Sequence, residues 1–377
     1  MFHLVAGLLA FYVIRRLVWL AAIPKPAKWL VAALVLFSSQ HHLITKTFFG
    51  TMASPEVPRG FLMVFNWGFG ALGIAAFLLL CADVFALCKY LLAKNKKTQS
   101  ALPRSGRLRP MLGVVALVLA GIGVWQSVRV PDVKTVEIAV RDLPSAFDGY
   151  RIVQLTDLHA SRLLQRDWMD AVVKKANALE PALFVLTGDM VDGTVAARRD
   201  DVAPLRDLKA PNGVYAIPGN HEYYAEYDAW LDYFARTGLP VLRNEHVTIS
   251  KDGADFILAG VTDTVASRYN QTLPDIEAAL QGVPASAPII LLAHRPPGAR
   301  IHARAGADLQ LSGHTHGGHM WGWHWLVQYL NEGFVSGQYD VEGMQLYVSN
   351  GAGLWPGFAI RLGPSSEITQ IVLRSVP

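Results

Sequence analysis

Five short blocks of the chain carry side chains that bind metals or handle protons. They are Asp157 and His159 in "LTDLH", Asp189 and Asp192 in "LTGDMVDG", Asn220 to Glu222 in "IPGNHEYY", His294 in "PIILLAH", and His314 with His316 in "LSGHTHGGHM". In the last block His314, His316 and His319 fall within six positions among glycines that offer almost no bulk to pack them. A single Asp or His at the end of an apolar run is usually a turn former or a satisfied polar group. Five in succession, with Gly188, Gly219 and Gly313 placed to let backbone approach closely, point instead to one shared site. The donors are nitrogen and oxygen without thiolate, a set that suits Mn, Fe, Zn or a similar divalent ion and does not select among them.

To meet, these blocks need strands that end side by side. Runs of β type recur at "YRIVQLTD", "ALFVLTGD", "GVYAIPGN", "DFILAGV", "PIILLAH", "DLQLSGH" and "MQLYVSNGAG", with helical patterns between several of them, clearest at 165–179 and 224–236. This alternation predicts an α/β domain with at least some parallel strands across about residues 135–374. In open α/β sheets, sites collect at the carboxyl ends of the strands, where the five blocks stand. The chain shows no internal repeat and no low-complexity tract.

The ordered set Asp-x-His, Gly-Asp-x-x-Asp-Gly, Gly-Asn-His-Glu, His, Gly-His-Thr-His resembles the calcineurin-like metallophosphoesterase superfamily. The flanking words "LTGDMVDG", "IPGNHEYY" and "LSGHTHGG" are most similar to its YkuE/YaeI-type bacterial branch, and the resemblance covers about residues 148–374. It implies a four-layer α/β/β/α sandwich of two mixed sheets, with two divalent metal ions at the sheet edge. It further implies that Asp157, His159 and His316 hold the first ion and that Asn220, His294 and His314 hold the second, with Asp189 bridging both. By the same resemblance His221 is not a ligand and faces the substrate as general acid, while Asp192 and Glu222 shape loops or support ligands. Relatives often have Gln where His319 stands, so the resemblance assigns it no ligand role.

Charge counting narrows the chemistry. Two divalent cations set against Asp157, Asp189 and one bridging hydroxide leave a positive site that favours an anionic phosphate. Paired metals clamp both oxygens of an in-line displacement and pull the pKa of bound water from 15.7 toward about 7. Direct attack on phosphorus by metal-held hydroxide is therefore expected, without a covalent enzyme intermediate. His221 then protonates the leaving oxygen, or in the alternative reading only orients the phosphate.

The rest of the chain reads differently. Of its 377 residues 52% are hydrophobic, high for a soluble protein. Apolar stretches at roughly 3–22, 28–44, 61–88 and 111–128 approach or exceed the roughly 17–20 residues needed to cross a bilayer. An all-α region of four transmembrane helices is thus expected over 1–128, then a linker and first strand over 129–147 and the catalytic domain over 148–377. A removable signal peptide is disfavoured, because Arg15 and Arg16 follow the first apolar run and no cation precedes it. Residues 1–128 hold 13 Lys/Arg against Glu56 and Asp83, and the remainder holds 21 against 28 acidic residues. The basic charge therefore belongs to the membrane part, and the globular part has no footprint for nucleic acid.

Lys89, Lys94, Lys96, Lys97, Arg104, Arg107 and Arg109 lie between the third and fourth stretches with no acidic residue among them. The positive-inside tendency makes this loop cytoplasmic. The catalytic domain then lies outside a bacterial inner membrane, on its periplasmic or extracytoplasmic side. Asp83 with Arg15 and Arg16 reads as a structural ion pair, Cys81 and Cys88 as packing residues about 10 Å apart along one helix, and His41 and His42 as interfacial polar residues. Trp321, Trp323 and Trp325 read either as core aromatics or as an interfacial collar. The collar and the multi-span anchor favour a phospholipid or a lipid-linked phosphate or pyrophosphate as substrate. The rivals are a generic phosphodiesterase or phosphomonoesterase for small soluble phosphates, and a non-catalytic binding module. Every expected ligand position is filled, which argues against the last. No protein partner is inferable.

Overall fold

The computed structural model describes residues 2–92 and 108–376; Lys94, Lys96, Lys97, Arg104 and Arg107 of the basic loop lie outside the described residues. The chain divides into two compact units, Met1–Gln126 with Gly357–Ile360, and Ser127–Pro356 with Arg361–Pro377.

The first unit is helical. Two of its helices, Arg59–Leu92 (34 residues) and Leu108–Ser127 (20 residues), are long and apolar enough to cross a membrane. The expectation of four such helices is met in part, by these two among the described residues. Phe2–Val13 passes into a π-helical turn at Ile14–Val18 and stops ahead of Pro24, and Lys25–Ser39 spans 15 residues before Gln40 separates it from His41–Phe48. The second stretch, 28–44, thus holds a break at Gln40 that its apolar composition does not show.

Within this unit Asp83 accepts from Arg16 Nε (2.7 Å) and Tyr12 Oη (2.9 Å), with Arg109 at 3.8 Å. The expected structural ion pair thus forms through Arg16, with Tyr12 and Arg109 beside it and without Arg15. Cys81 and Cys88 are free thiols, and both are exposed on the helix surface, not packed inside the unit as expected. His41 and His42 are both buried, with ring centroids 3.7 Å apart and planes tilted by 42°, and their Nε2 atoms donate to the Gly357 carbonyl at 3.3 and 2.6 Å.

The second unit is built on two mixed sheets. The first has the order β1-β11-β2-β3-β4 and the second β5-β6-β7-β8-β10-β9. In the first sheet, β1 (Asp132–Arg141) pairs in parallel with β11 (Glu367–Val376), which runs antiparallel to β2 (Arg151–Leu155). Parallel β3 (Leu183–Thr187) and β4 (Val214–Ile217) follow. In the second, β6 (Ala254–Gly260), β7 (Ile289–Leu292), β8 (Leu309–Ser312) and β10 (Met344–Val348) are parallel. Antiparallel β5 (Glu245–Lys251) and β9 (Gly337–Val341) form its edges.

One apolar cluster draws on both sheets. Ile152, Val185, Ile217 and Ile371 of the first pack with Phe256, Leu258, Ile290 and Leu311 of the second, all buried. The alternate residues Ile257, Ala259, Ile289 and Leu291 face the other way, onto Ile276, Ala279 and Ala299 of flanking helices. Every residue of β3, β7 and β8 is buried, as strands covered on both faces must be. The sheets thus form a rigid base from whose strand ends the five blocks emerge.

Phe256 stands in the middle of the inter-sheet core, edge-on to Phe147 with ring centroids 4.8 Å apart. Phe256→Ala should cost about 3–5 kcal/mol, seen as a lower denaturation midpoint; a loss under about 1 kcal/mol would mean that the sheets are not held together there.

Candidate metal centre

The loops that leave β2, β3, β4, β7 and β8 bring all eight sequence-predicted residues into one site. Asp157 and His159 follow β2, Asp189 follows β3, Asn220 and His221 open the short helix Asn220–Tyr224 after β4, His294 follows β7, and His314 and His316 follow β8. His314 is partly exposed, and the other seven are buried. Five of them hold left-handed backbone: Asp157 (φ 54°), His159 (49°), Asp189 (53°), His314 (69°) and His316 (50°). Such φ values are uncommon for residues with a side chain, and each costs on the order of 1–3 kcal/mol.

Tight loop contact leaves no space at two glycines. A Cβ on Gly219 would lie 2.3 Å from Asp189 Oδ1, and one on Gly313 would lie 2.2 Å from Thr156 Oγ1 and 2.3 Å from Asp157 Oδ2.

The donor atoms converge on Asp189 Oδ2, with His294 Nε2 at 3.2 Å, His159 Nε2 at 3.8 Å and His221 Nε2 at 3.9 Å. Asp157 Oδ1 lies 3.9 Å from His159 Nε2 and 3.6 Å from His316 Nε2. Three overlapping groups result, each with donor atoms within 4.8 Å of one another: Asp157, His159 and His316; His159, Asp189 and His221; and Asp189, His294 and His314. His319 is in none of them, although its ring centroid lies 5.0 Å from that of His316.

These groups fit a cation on their own chemistry. His294 Nδ1 donates to the Thr187 carbonyl (2.8 Å) and His159 Nδ1 to Asp192 (3.1 Å), so each ring turns Nε2 toward a carboxylate. Both Nε2 atoms are buried without a hydrogen-bond partner. With neutral rings lone pair would face lone pair, and positive charge in the pocket, a proton on Nε2 or a cation between the groups, resolves it. Ligand atoms at about 2.1 Å from one ion stand ~3–4 Å apart, the spacing seen here. Burial favours a neutral His294, yet Asp189 and then Asp157 outweigh it and hold the ring's pKa up at about 10. The pocket favours positive charge.

Asp192 and Glu222 brace the site. Asp192 accepts from His159 Nδ1 through one oxygen and from His221 Nδ1 through the other, which aims both rings. Glu222 accepts from the backbone N–H of Asp189 (3.1 Å), Met190 (2.7 Å), Val191 (3.3 Å) and Gly219 (2.6 Å), fastening the third block to the second.

Sequence reasoning missed two arginines. Arg361, buried, donates to the carbonyls of His316, Asn350, Gly353 and Pro364. Arg295 bonds Asp263, His314 and Asn220. The one signal for Arg295 was its place beside His294; Arg361 had none. Trp321 and Trp325 are 70% and 67% exposed, so they are not core aromatics, and the helix Trp323–Leu330 buries no residue. Trp355 instead stands near the site, its ring 6.2 Å from that of His221.

Residues 150–318, which contain all eight site residues, match the calcineurin-like phosphoesterase family. The chain is 39% identical to "Transmembrane protein with metallophosphoesterase domain" of Bos taurus, over 72% of this chain and 63% of that one. It is 32% identical to the protein of the same name in Danio rerio, over 96% of this chain and 84% of that one. To the uncharacterized metallophosphoesterase YkuE of Bacillus subtilis it is 30% identical, over 64% and 86%. A dimetal phosphatase of known structure from Danio rerio aligns with 54% of this chain and 88% of its own at 12% identity, with a TM-score of 0.35. The chain belongs to the calcineurin-like metallophosphoesterases and is a phosphoric ester hydrolase of that metal-dependent family. It spans 63% of the length of the bovine relative.

Burial lowers the pKa of His221, but Asp192 and then Asp189 overcome it and raise the value from 6.5 to about 9. Because the folded pKa is the higher one, the stabilisation from His221 protonation is complete below pH 6.5 and is lost as pH rises through about 9. Asp192→Asn should therefore lower the stability of chelator-treated protein by on the order of 1–3 kcal/mol near pH 6. That deficit should shrink toward pH 10; a deficit that is constant with pH would remove the assignment.

Proposed function

We propose that the chain is a membrane-anchored phosphoesterase that uses two divalent ions to hydrolyse a phosphate ester or pyrophosphate bond of a lipid or lipid-linked substrate. The observation that carries the two-ion reading is Asp189 Oδ2, which faces imidazoles from both predicted ligand sets. In this assignment Asp157, His159 and His316 hold one ion, Asn220, His294 and His314 hold the other, and Asp189 serves both. When bound, the ions supply positive charge to a phosphoryl group and acidify a coordinated water.

The protein residues then have distinct tasks. His221, aimed by Asp192, whose charge favours its protonated form, holds a proton on Nε2 for the leaving oxygen. Tyr224, with its ring 4.8 Å from that of His221, and Trp355, at 6.2 Å, flank it. Asp189 positions this helix end by accepting from His221 N at 2.8 Å.

Three features support the membrane reading. Two helices have crossing length, the relatives from Bos taurus and Danio rerio are named as transmembrane proteins, and the exposed Trp321, Trp325 and Tyr329 suit a headgroup region. The two crossing helices flank the basic loop, so a cytoplasmic loop puts the catalytic unit on the extracytoplasmic side, in a bacterium the periplasmic face of the inner membrane. Small soluble phosphates remain the second reading, in which the helices only tether.

Asp189→Asn should deplete both ions, reducing bound metal measured by elemental analysis from two per chain toward none; loss of a single ion would mean that Asp189 serves only one. His221→Ala should retain metal and lose turnover by about 10²–10⁴, more for poor leaving groups than for good ones. Equal losses on both would argue against the acid role. Full-length protein should outpace a 129–377 fragment on lipid phosphates and match it on soluble ones; equal rates on both substrates would favour the tether.

A further inference from the structure

Arg295 is fixed at three points. Its Nε donates to Asp263 Oδ2 (2.8 Å), Nη1 to His314 Nε2 (2.9 Å) and Nη2 to Asn220 Oδ1 (2.9 Å). Asp263 is buried, and its other oxygen caps the turn Thr264–Arg268 by accepting from Val265 N at 2.7 Å, so the anchor is itself held. His314 and Asn220 are two of the residues assigned above to the second ion.

Lone pairs decide what this arrangement permits. A guanidinium has only donors, so His314 Nε2 is the acceptor in this bond. A neutral imidazole that accepts at Nε2 carries its proton on Nδ1, which leaves neither ring nitrogen able to bind a metal. Arg295 and an ion cannot hold His314 together. Asn220 Oδ1 keeps a second lone pair, but an ion there would sit against a positive guanidinium.

We propose that Arg295 is a displaceable cation, which competes with the second divalent ion for His314 and, once displaced, becomes the substrate's phosphate fork. Its Nε stays tethered to Asp263, and the side chain, 27% exposed, has solvent on one side in which to turn. The two Nη groups then suit bidentate pairing with phosphoryl oxygens. This inference rests on the two-ion reading. It makes the second ion the weaker one, since the bond to His314 must break first. It also couples that ion to phosphate, because phosphate offers Arg295 another partner, and such coupling is reciprocal.

The test is Mn²⁺ binding to full-length protein in detergent, followed by electron paramagnetic resonance of the free ion and by elemental analysis after dialysis. Wild type, Arg295→Ala and Arg295→Lys are compared with and without inorganic phosphate. Wild type should show a strong and a weak ion, with phosphate tightening the weak one. Arg295→Ala should tighten the weak ion by about tenfold, the scale of one charged hydrogen bond, and reduce the phosphate effect to what the ions' own charge supplies. Arg295→Lys keeps the pair with Asp263 but has no fork, so it too should show the reduced phosphate effect, and it decides the matter if the alanine variant does not fold. A weak ion that binds both variants no more tightly than wild type, with the phosphate effect intact, overturns the role of Arg295 and leaves the two-ion reading standing. One ion or none in wild type defeats that reading instead.

Discussion

Three imidazole nitrogens face one buried carboxylate oxygen, and for two of them no hydrogen bond relieves the confrontation. This arrangement around Asp189 is the constraint on which the rest of the site depends. Without positive charge it is unfavourable, because buried acceptors lose their water and gain nothing in exchange. With a cation between them the same atoms become ligands, so the local polarity of the pocket and its family membership lead to the same chemistry.

Holding such a site open costs backbone strain, and the structure shows where that strain is offset. Five predicted ligands sit in left-handed conformation at the ends of buried strands, where the inter-sheet core fixes the start of each loop. Glu222 then gathers four backbone N–H groups from two loops, and Arg361 gathers four carbonyls from others. The acid and the base each satisfy backbone groups that the tight loops leave over.

Much of this was legible in the sequence, and the parts that were not share a cause. The seven apolar runs became β2, β3, β4, β6, β7, β8 and β10, because a strand buried on both faces advertises itself by composition alone. β5 and β9 are sheet edges with mixed polarity, "EHVTISK" and "GQYDV", and gave no such signal; β11 alternates but lies beyond the last block. All eight site residues were readable because their types and spacing are local. Arg295 was not, because its meaning comes from contacts 19, 32 and 75 positions away. In the helical unit, hydropathy reported composition correctly but not the break at Gln40 within the second stretch.

The most direct measurement is the electron paramagnetic resonance spectrum of full-length protein loaded with Mn²⁺ and freed of excess ion. Two ions that share the Asp189 carboxylate are expected to give the broadened, exchange-coupled signal of a dinuclear centre. The six-line spectrum of isolated Mn²⁺, at full occupancy, would contradict the account.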